Sequence, residues 1–120
     1  DQKWLAFILR QLISNAVKYS NENSEIRIFT STDDLGHLIL SIQDEGVGIA
    51  QSDLPRIFEK SFTGRVGRES AASTGMGLYL AKNSAEKLGI RINVVSDIGQ
   101  GSTFSLHFPL QNEMQQILGR

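Results

Sequence analysis

The 120-residue chain has no cysteine. That excludes a disulfide framework and any thiolate metal centre, and it fits a reducing compartment. Net charge is only −1, which offers no general attraction to nucleic acid or to an anionic membrane surface, so no nucleic-acid partner is expected. No apolar run approaches the roughly 20 residues of a membrane-spanning helix. No signal peptide and no internal repeat is visible. What is present is ordinary: 40% hydrophobic and 21% charged residues, the balance of a globular domain. The length suits one domain, residues 1–120, with a core that needs no staples. The chain opens on DQKWLAFIL, already inside a helical pattern, so a piece of a longer protein is expected.

Leu5, Ile8, Leu9, Leu12, Ile13 and Ala16 recur at helical spacing and predict a helix over 4–19. SNENSE ends it with small polar residues. EIRIFTS and HLILSIQD alternate apolar and polar positions around the turn residues DDLG, which reads as a β-hairpin. QSDLPRIFEKSF reads as a short helix, capped by Ser52 or Asp53 and with Pro55 in its first turn. Thr63 to Thr74 has no period and reads as a loop of about a dozen residues, a length often used for lids. A helix is expected from Met76 to Leu88, with Gly89 as its left-handed cap. IRINVVSD and GSTFSLHF close the pattern as two strands, the second with Phe104, Leu106 and Phe108 inward. The predicted fold is therefore α/β: a two-layer sandwich, with a mixed, mostly antiparallel sheet covered on one face by about three helices.

Three constellations carry chemistry. Gln11, Asn15, Lys18 and Tyr19 are spaced three and four apart and share one side of the first helix. Two carboxamides, an ammonium and a phenol meet there without a carboxylate. A carboxamide oxygen is a hard, neutral ligand suited to Mg²⁺, which binds alongside substrate phosphates, and Lys18 adds charge for phosphate. A solvated face near the helix end is the other reading. In DEGVGIA, Asp44 keeps the phase of Leu38, Leu40 and Ile42, so it points at the core side. A carboxylate there needs a donor. The exocyclic amino group of adenine is one, and Gly46 and Gly48 leave room for a planar ring. An ordinary turn after a strand is the alternative.

In TGMGLYLAK, Gly75 and Gly77 stand at a helix start, where free N–H groups and the helix dipole favour an anion. Close helix–sheet packing explains such a pair equally well. The preceding loop favours the nucleotide reading, since closing lids sequester nucleotides. Lys60, Arg65 and Arg68, in or beside that loop, are either phosphate contacts or solvated.

QLISNAVKYS, DEGVGIA, PRIFEKSF, TGMGLYLAKN and GQGSTFSLHFP stand in an order that resembles the N, G1, F, G2 and G3 boxes of the catalytic ATP-binding domain of sensor histidine kinases. That domain has the Bergerat fold, shared with gyrase, chaperone and mismatch-repair ATPases (the GHKL group). The resemblance covers nearly the whole chain. It implies ATP and Mg²⁺ as cofactors, Asn15 as the metal ligand with Gln11 beside it, Lys18 on phosphate, and Tyr19 on ribose or the adenine edge. It implies Asp44 as acceptor for the adenine amino group, Gly48 and Ile49 lining the base beside Gly46, and Phe58 and Leu80 nearby. Gly75 and Gly77 form the phosphate-facing lid hinge, and Lys60, Met76 and Leu78 are implied among the ATP-binding residues. Thr103 is implied to complete the adenine site through a water. Three departures stand out. Gln11 replaces a common Asn, Ser73 replaces a further Gly, and Ser61 and Thr63 replace the usual FYR ending. The pattern looks most like intramembrane-sensing kinases paired with peptide-antibiotic transporters.

The function so implied is transfer of the γ-phosphate of Mg-ATP to a histidine outside this chain, on the dimerisation and phosphoacceptor domain of the same kinase. A response regulator follows, and a transporter is a partner through the full-length homodimer. The chain itself is then a monomeric cytoplasmic domain of a cell-membrane protein. His37 starts a strand and His107 faces outward from one, so neither has an acceptor's helical context. Phe58 or Phe62 is expected to meet the acceptor helices. The alternatives are a GHKL-type ATPase, for which Gln11 is a poor general base, and a catalytically silent nucleotide-binding regulatory module.

Overall fold

The computed structural model describes residues 2–60 and 76–110. Helix α1 (Gln2–Tyr19) leads into the hairpin β1 (Ile26–Thr32) and β2 (Leu38–Asp44), then a 3₁₀ turn (Leu54–Arg56). Helix α2 (Gly77–Lys87) precedes a second hairpin, β3 (Arg91–Asp97) and β4 (Gly101–His107). The four strands form one sheet in the order β1-β2-β4-β3, and every neighbouring pair is antiparallel. The expected sheet was mixed; among the described residues it is wholly antiparallel, because the two hairpins join through β2 and β4.

Both helices lie on one face, as their stripes require. Ile8, Leu12 and Ala16 of α1 and Ala81 and Ala85 of α2 are buried against Ile42, Phe104 and Leu106 of the central strands. Burial of this apolar surface is the main stabilising term, at about 25 cal/mol per Å². Small residues at 77, 81, 84 and 85 let α2 approach α1 closely. Gly89 (φ +71°) ends α2 as expected. Its N–H donates to Glu86 O at 3.1 Å and that of Ile90 to Ala85 O at 2.9 Å, the paired bonds of a Schellman cap. The DDLG turn is held by Asp33, whose Oδ1 accepts from the N–H groups of Leu35 (3.0 Å) and His37 (2.9 Å).

The helix expected around 52–60 is a correction. Only Leu54–Arg56 form a helical turn, and Asp53 makes no side-chain cap bond. Isolated turn bonds such as Arg56 N–H to Asp53 O (2.8 Å) and Glu59 N–H to Arg56 O (3.0 Å) replace a continuous ladder. Two α-helices, not three, therefore cover the sheet among the described residues.

Candidate nucleotide site

The pleat assigns each strand residue to a face. Direct cross-strand partners share a face and successive residues alternate. Ile26, Asp44, Ser102 and Ser96 form one row across all four strands on the helix-covered side. Arg27, Gln43, Thr103 and Val95 form the adjoining row on the other side. Asp44 does face the core side, and only 3% of it is exposed. Its Oδ1 accepts the Gly46 N–H at 2.9 Å. Burial pushes its carboxyl above the usual carboxylate range, while the backbone groups of Gly46 and Ser102 act against the rise.

The same rows move one predicted residue. Thr103 lies on the opposite face of the sheet from Asp44, and Ser102, its buried neighbour, is the residue directly opposite Asp44. The signal was present in the sequence: counting back by twos from the inward Leu106 and Phe104 reaches Ser102.

The loop after β2 is tied down on two sides. Toward α1, Val47 N–H donates to Tyr19 O (3.2 Å), Asn21 N–H to Glu45 O (3.3 Å), and Ser20 bridges Gly46. Toward the second hairpin, Ile49 N–H donates to Ser96 Oγ (2.8 Å) and Gly99 N–H to Val47 O (2.8 Å). Gln51 Nε2 reaches Ser96 O (2.7 Å) and Asp97 Oδ1 (2.6 Å). Ser96 Oγ in turn meets Ser102 Oγ at 2.8 Å and Gly101 O at 2.9 Å. Ser96 and Gln51 were not singled out in the sequence, because the contacts that join them to one another and Ser96 to Ile49 span more than 40 positions. The glycines are fixed by protein contacts: a Cβ on Gly46 would fall 2.1 Å from Tyr19 O, and one on Gly48 would fall 1.9 Å from Asp97 O. Room for a ring is therefore not what first demands glycine there.

On α1, Gln11, Asn15 and Tyr19 are half-buried, and Lys18 is exposed with Nζ 5.2 Å from the Tyr19 ring centroid. The two ends of this face touch different elements. Tyr19 O receives the loop after β2, and Gln11 Oε1 lies 2.5 Å from where a Gly77 Cβ would stand. Asn15 sits midway along a stretch of about 12 Å. Its carboxamide fits a magnesium ion carried on phosphates, since such an ion takes few protein ligands. Among the described residues no group of three or more His, Cys, Asp or Glu is arranged for a metal.

Of the remaining predicted residues, Ile49, Met76 and Leu78 are half-buried, Lys60 is exposed, and Leu80 is 40% exposed. Phe58 packs edge-on against Phe104 (centroids 6.5 Å apart), with Lys82 Nζ 5.2 Å over its ring. It seals the core's edge. Gly75, Ser61, Phe62, Thr63, Arg65, Arg68 and Ser73 lie outside the described residues. His37 pairs with Asp33 (Nδ1–Oδ2 3.0 Å), and His107 faces outward beside Arg91 (3.4 Å). No helix among the described residues is long and apolar enough to cross a membrane.

Comparison with known proteins places this geometry. The profile of the family described as histidine kinase-, DNA gyrase B-, and HSP90-like ATPase matches residues 1–112. The sensor protein BceS of Halalkalibacterium halodurans is 53% identical over 119 residues, 99% of this chain and 35% of that protein. The sensor protein kinase GraS of Staphylococcus aureus is 49% identical over 114 residues, 95% of this chain and 32% of that protein. The chain thus spans about a third of the length of the curated relatives it matches. Among solved structures, the mycobacterial sensor histidine kinase MprB superposes with a TM-score of 0.79 at 25% identity, over 92% of this chain and 76% of that one. Full-length ShkA in complex with AMPPNP gives 0.75 at 28% identity, over 91% of this chain and 22% of that one.

Proposed function

We propose that this chain, which belongs to the histidine kinase-, DNA gyrase B- and HSP90-like ATPase family, binds Mg-ATP and donates its γ-phosphate to a histidine on another domain. The observation that carries the reading is Asp44: a carboxylate buried at the sheet end, next to a loop pinned in place, with Ser102 opposite. One of its oxygens is held by Gly46. The other is the natural acceptor for the adenine amino group. Asn15 would hold Mg²⁺, Lys18 would meet phosphate, and the backbone at the start of α2, from Gly77, would face the phosphates. The AMPPNP complex of ShkA supports an adenine nucleotide as ligand.

Phosphoryl transfer needs placement and charge neutralisation more than a nucleophile in this chain. The bond from the β–γ bridging oxygen to the γ-phosphorus breaks, a bond to the acceptor nitrogen forms, and ADP leaves. His107 is five residues along β4 from Ser102, about 17 Å at ~3.4 Å per residue. It also faces the other side of the sheet, so the acceptor lies elsewhere. The sensor-kinase names of the relatives support an acceptor and dimerisation domain and a response regulator; by the resemblance to sensor histidine kinases, this is the cytoplasmic ATP-binding part of a full-length homodimeric membrane protein. The resemblance to intramembrane-sensing kinases extends this to envelope or antibiotic stress, with a peptide-antibiotic transporter as partner. A self-sufficient ATPase is disfavoured, because the carboxamide of Gln11 cannot ionise to take a proton from water.

Calorimetry with Mg-AMPPNP tests the site. Wild-type protein binds, and GTP binds about a hundredfold or more weaker, because its ring carries a carbonyl where adenine carries the amino group. Asn15→Ala removes the gain in affinity that Mg²⁺ gives. Equal affinity for both nucleotides would remove Asp44 from the role of base reader. Addition of the acceptor domain to the ATP-loaded chain then yields phosphohistidine; binding without transfer would favour the silent regulatory module.

A further inference from the structure

We propose that Gln11 is a positioning residue that sets the start of α2 through Gly77, and not a ligand of the metal. The inference rests on the Mg-ATP reading above. A Cβ built on Gly77 would meet Gln11 Oε1 at 2.5 Å and Gln11 Cδ at 3.6 Å. Among the described residues, the carboxamide of Gln11 fills the space beside this glycine. Both residues are half-buried, and Ile8 on α1 and Ala81 on α2, each about one turn away, belong to the buried core.

The pairing explains two sequence choices together. Glycine at 77 leaves a gap that a side chain from α1 must fill or leave void. Glutamine is one methylene longer than asparagine, and it reaches that gap from a helix axis typically 8–10 Å away. Its oxygen also arrives at the positive end of α2, where Met76 supplies no side-chain cap. Gln11 thus fixes where the first free N–H groups of α2 stand relative to Asn15, one turn away on the same face of α1. An oxygen seated in this way is turned to Gly77 and is not offered to an ion at Asn15.

The test uses four proteins: wild type, Gln11→Ala, Gly77→Ala, and Gly77→Ala combined with Gln11→Asn. Each is titrated with AMPPNP with and without Mg²⁺. Gln11→Ala should weaken both titrations by the same factor, leaving the Mg²⁺ enhancement intact. Gly77→Ala should push the carboxamide end of Gln11 aside and so weaken binding by about the same factor as Gln11→Ala, and the shorter carboxamide of the double variant should restore most of that loss. A collapse of the Mg²⁺ enhancement in Gln11→Ala would make Gln11 a metal ligand and overturn the proposal. Additive losses in the double variant would overturn it too. If wild type binds no nucleotide, the Mg-ATP reading fails. Chemical denaturation of the same four proteins still decides the contact, by rescue or by additivity. If Gly77→Ala does not fold, the Mg²⁺ ratio of Gln11→Ala decides alone.

Discussion

Asp44 on β2 and Ser102 on β4 are direct cross-strand partners on the helix-covered face of the sheet, and both are buried. Thr103, one position on, faces away. If a water or hydroxyl completes the base site, Ser102 is the residue able to hold it. Ser102→Ala should weaken Mg-AMPPNP binding about tenfold, the worth of one or two hydrogen bonds. Thr103→Ala should stay within about twofold of wild type, as an isolated change on the far face. Calorimetry on the two variants checks this, and a larger loss for Thr103→Ala would reverse the assignment. Because Ser102 Oγ also meets Ser96 Oγ, a melting curve should accompany the measurement to separate a local loss from unfolding.

The buried carboxyl of Asp44 gives stability a defined pH dependence. Its pKa in the folded protein is raised above the ordinary value of 3.8, first by burial. The folded chain therefore keeps this proton to higher pH than the unfolded chain does. The carboxyl's contribution to stability is greatest below 3.8 and is lost as pH rises through the folded value, then stays level. Asp44→Asn removes the titration. Urea denaturation across this range should show wild type losing stability relative to Asp44→Asn as pH rises, with a constant difference above it. Parallel profiles would mean that Asp44 titrates normally.

Much of this was legible before any coordinates. All four strands lie within one residue of their expected bounds, because apolar residues recur at alternate positions and Asp and Gly residues mark the two hairpin turns. The phase of Asp44 followed from the same alternation. The short helix expected near Pro55 is reduced to one 3₁₀ turn, Leu54–Arg56. Leu54, Ile57 and Phe58 stand at helical spacing, but Asp53 makes no side-chain cap bond to support a longer helix. That Ser102 and not Thr103 shares a face with Asp44 was decidable by counting along β4. Contacts between distant segments were out of reach: Gln11 with Gly77, Ile49 with Ser96, and Tyr19 O with the loop after β2.

That last contact yields the sharpest stability prediction. A methyl on Gly46 would stand 2.1 Å from Tyr19 O, 2.8 Å from its carbonyl carbon and 2.7 Å from Asp44 Oδ1. The Tyr19 carbonyl belongs to the last turn of α1 and accepts the Val47 N–H, so it cannot retreat without breaking the tie between α1 and the loop. Asp44 cannot retreat without releasing the Gly46 N–H. Gly46→Ala should therefore cost about 3 kcal/mol or more, the upper range for overpacking against fixed atoms. Gly99 is the comparison. Among the described residues nothing lies within 4 Å of its Cβ position, and its φ of +79° is what resists a side chain, so Gly99→Ala should cost about 1–2 kcal/mol. Urea denaturation ranks the two. Equal costs would mean that the loop shifts freely from α1, and the Asp44 carboxylate would then lack the fixed surroundings that reading a base demands.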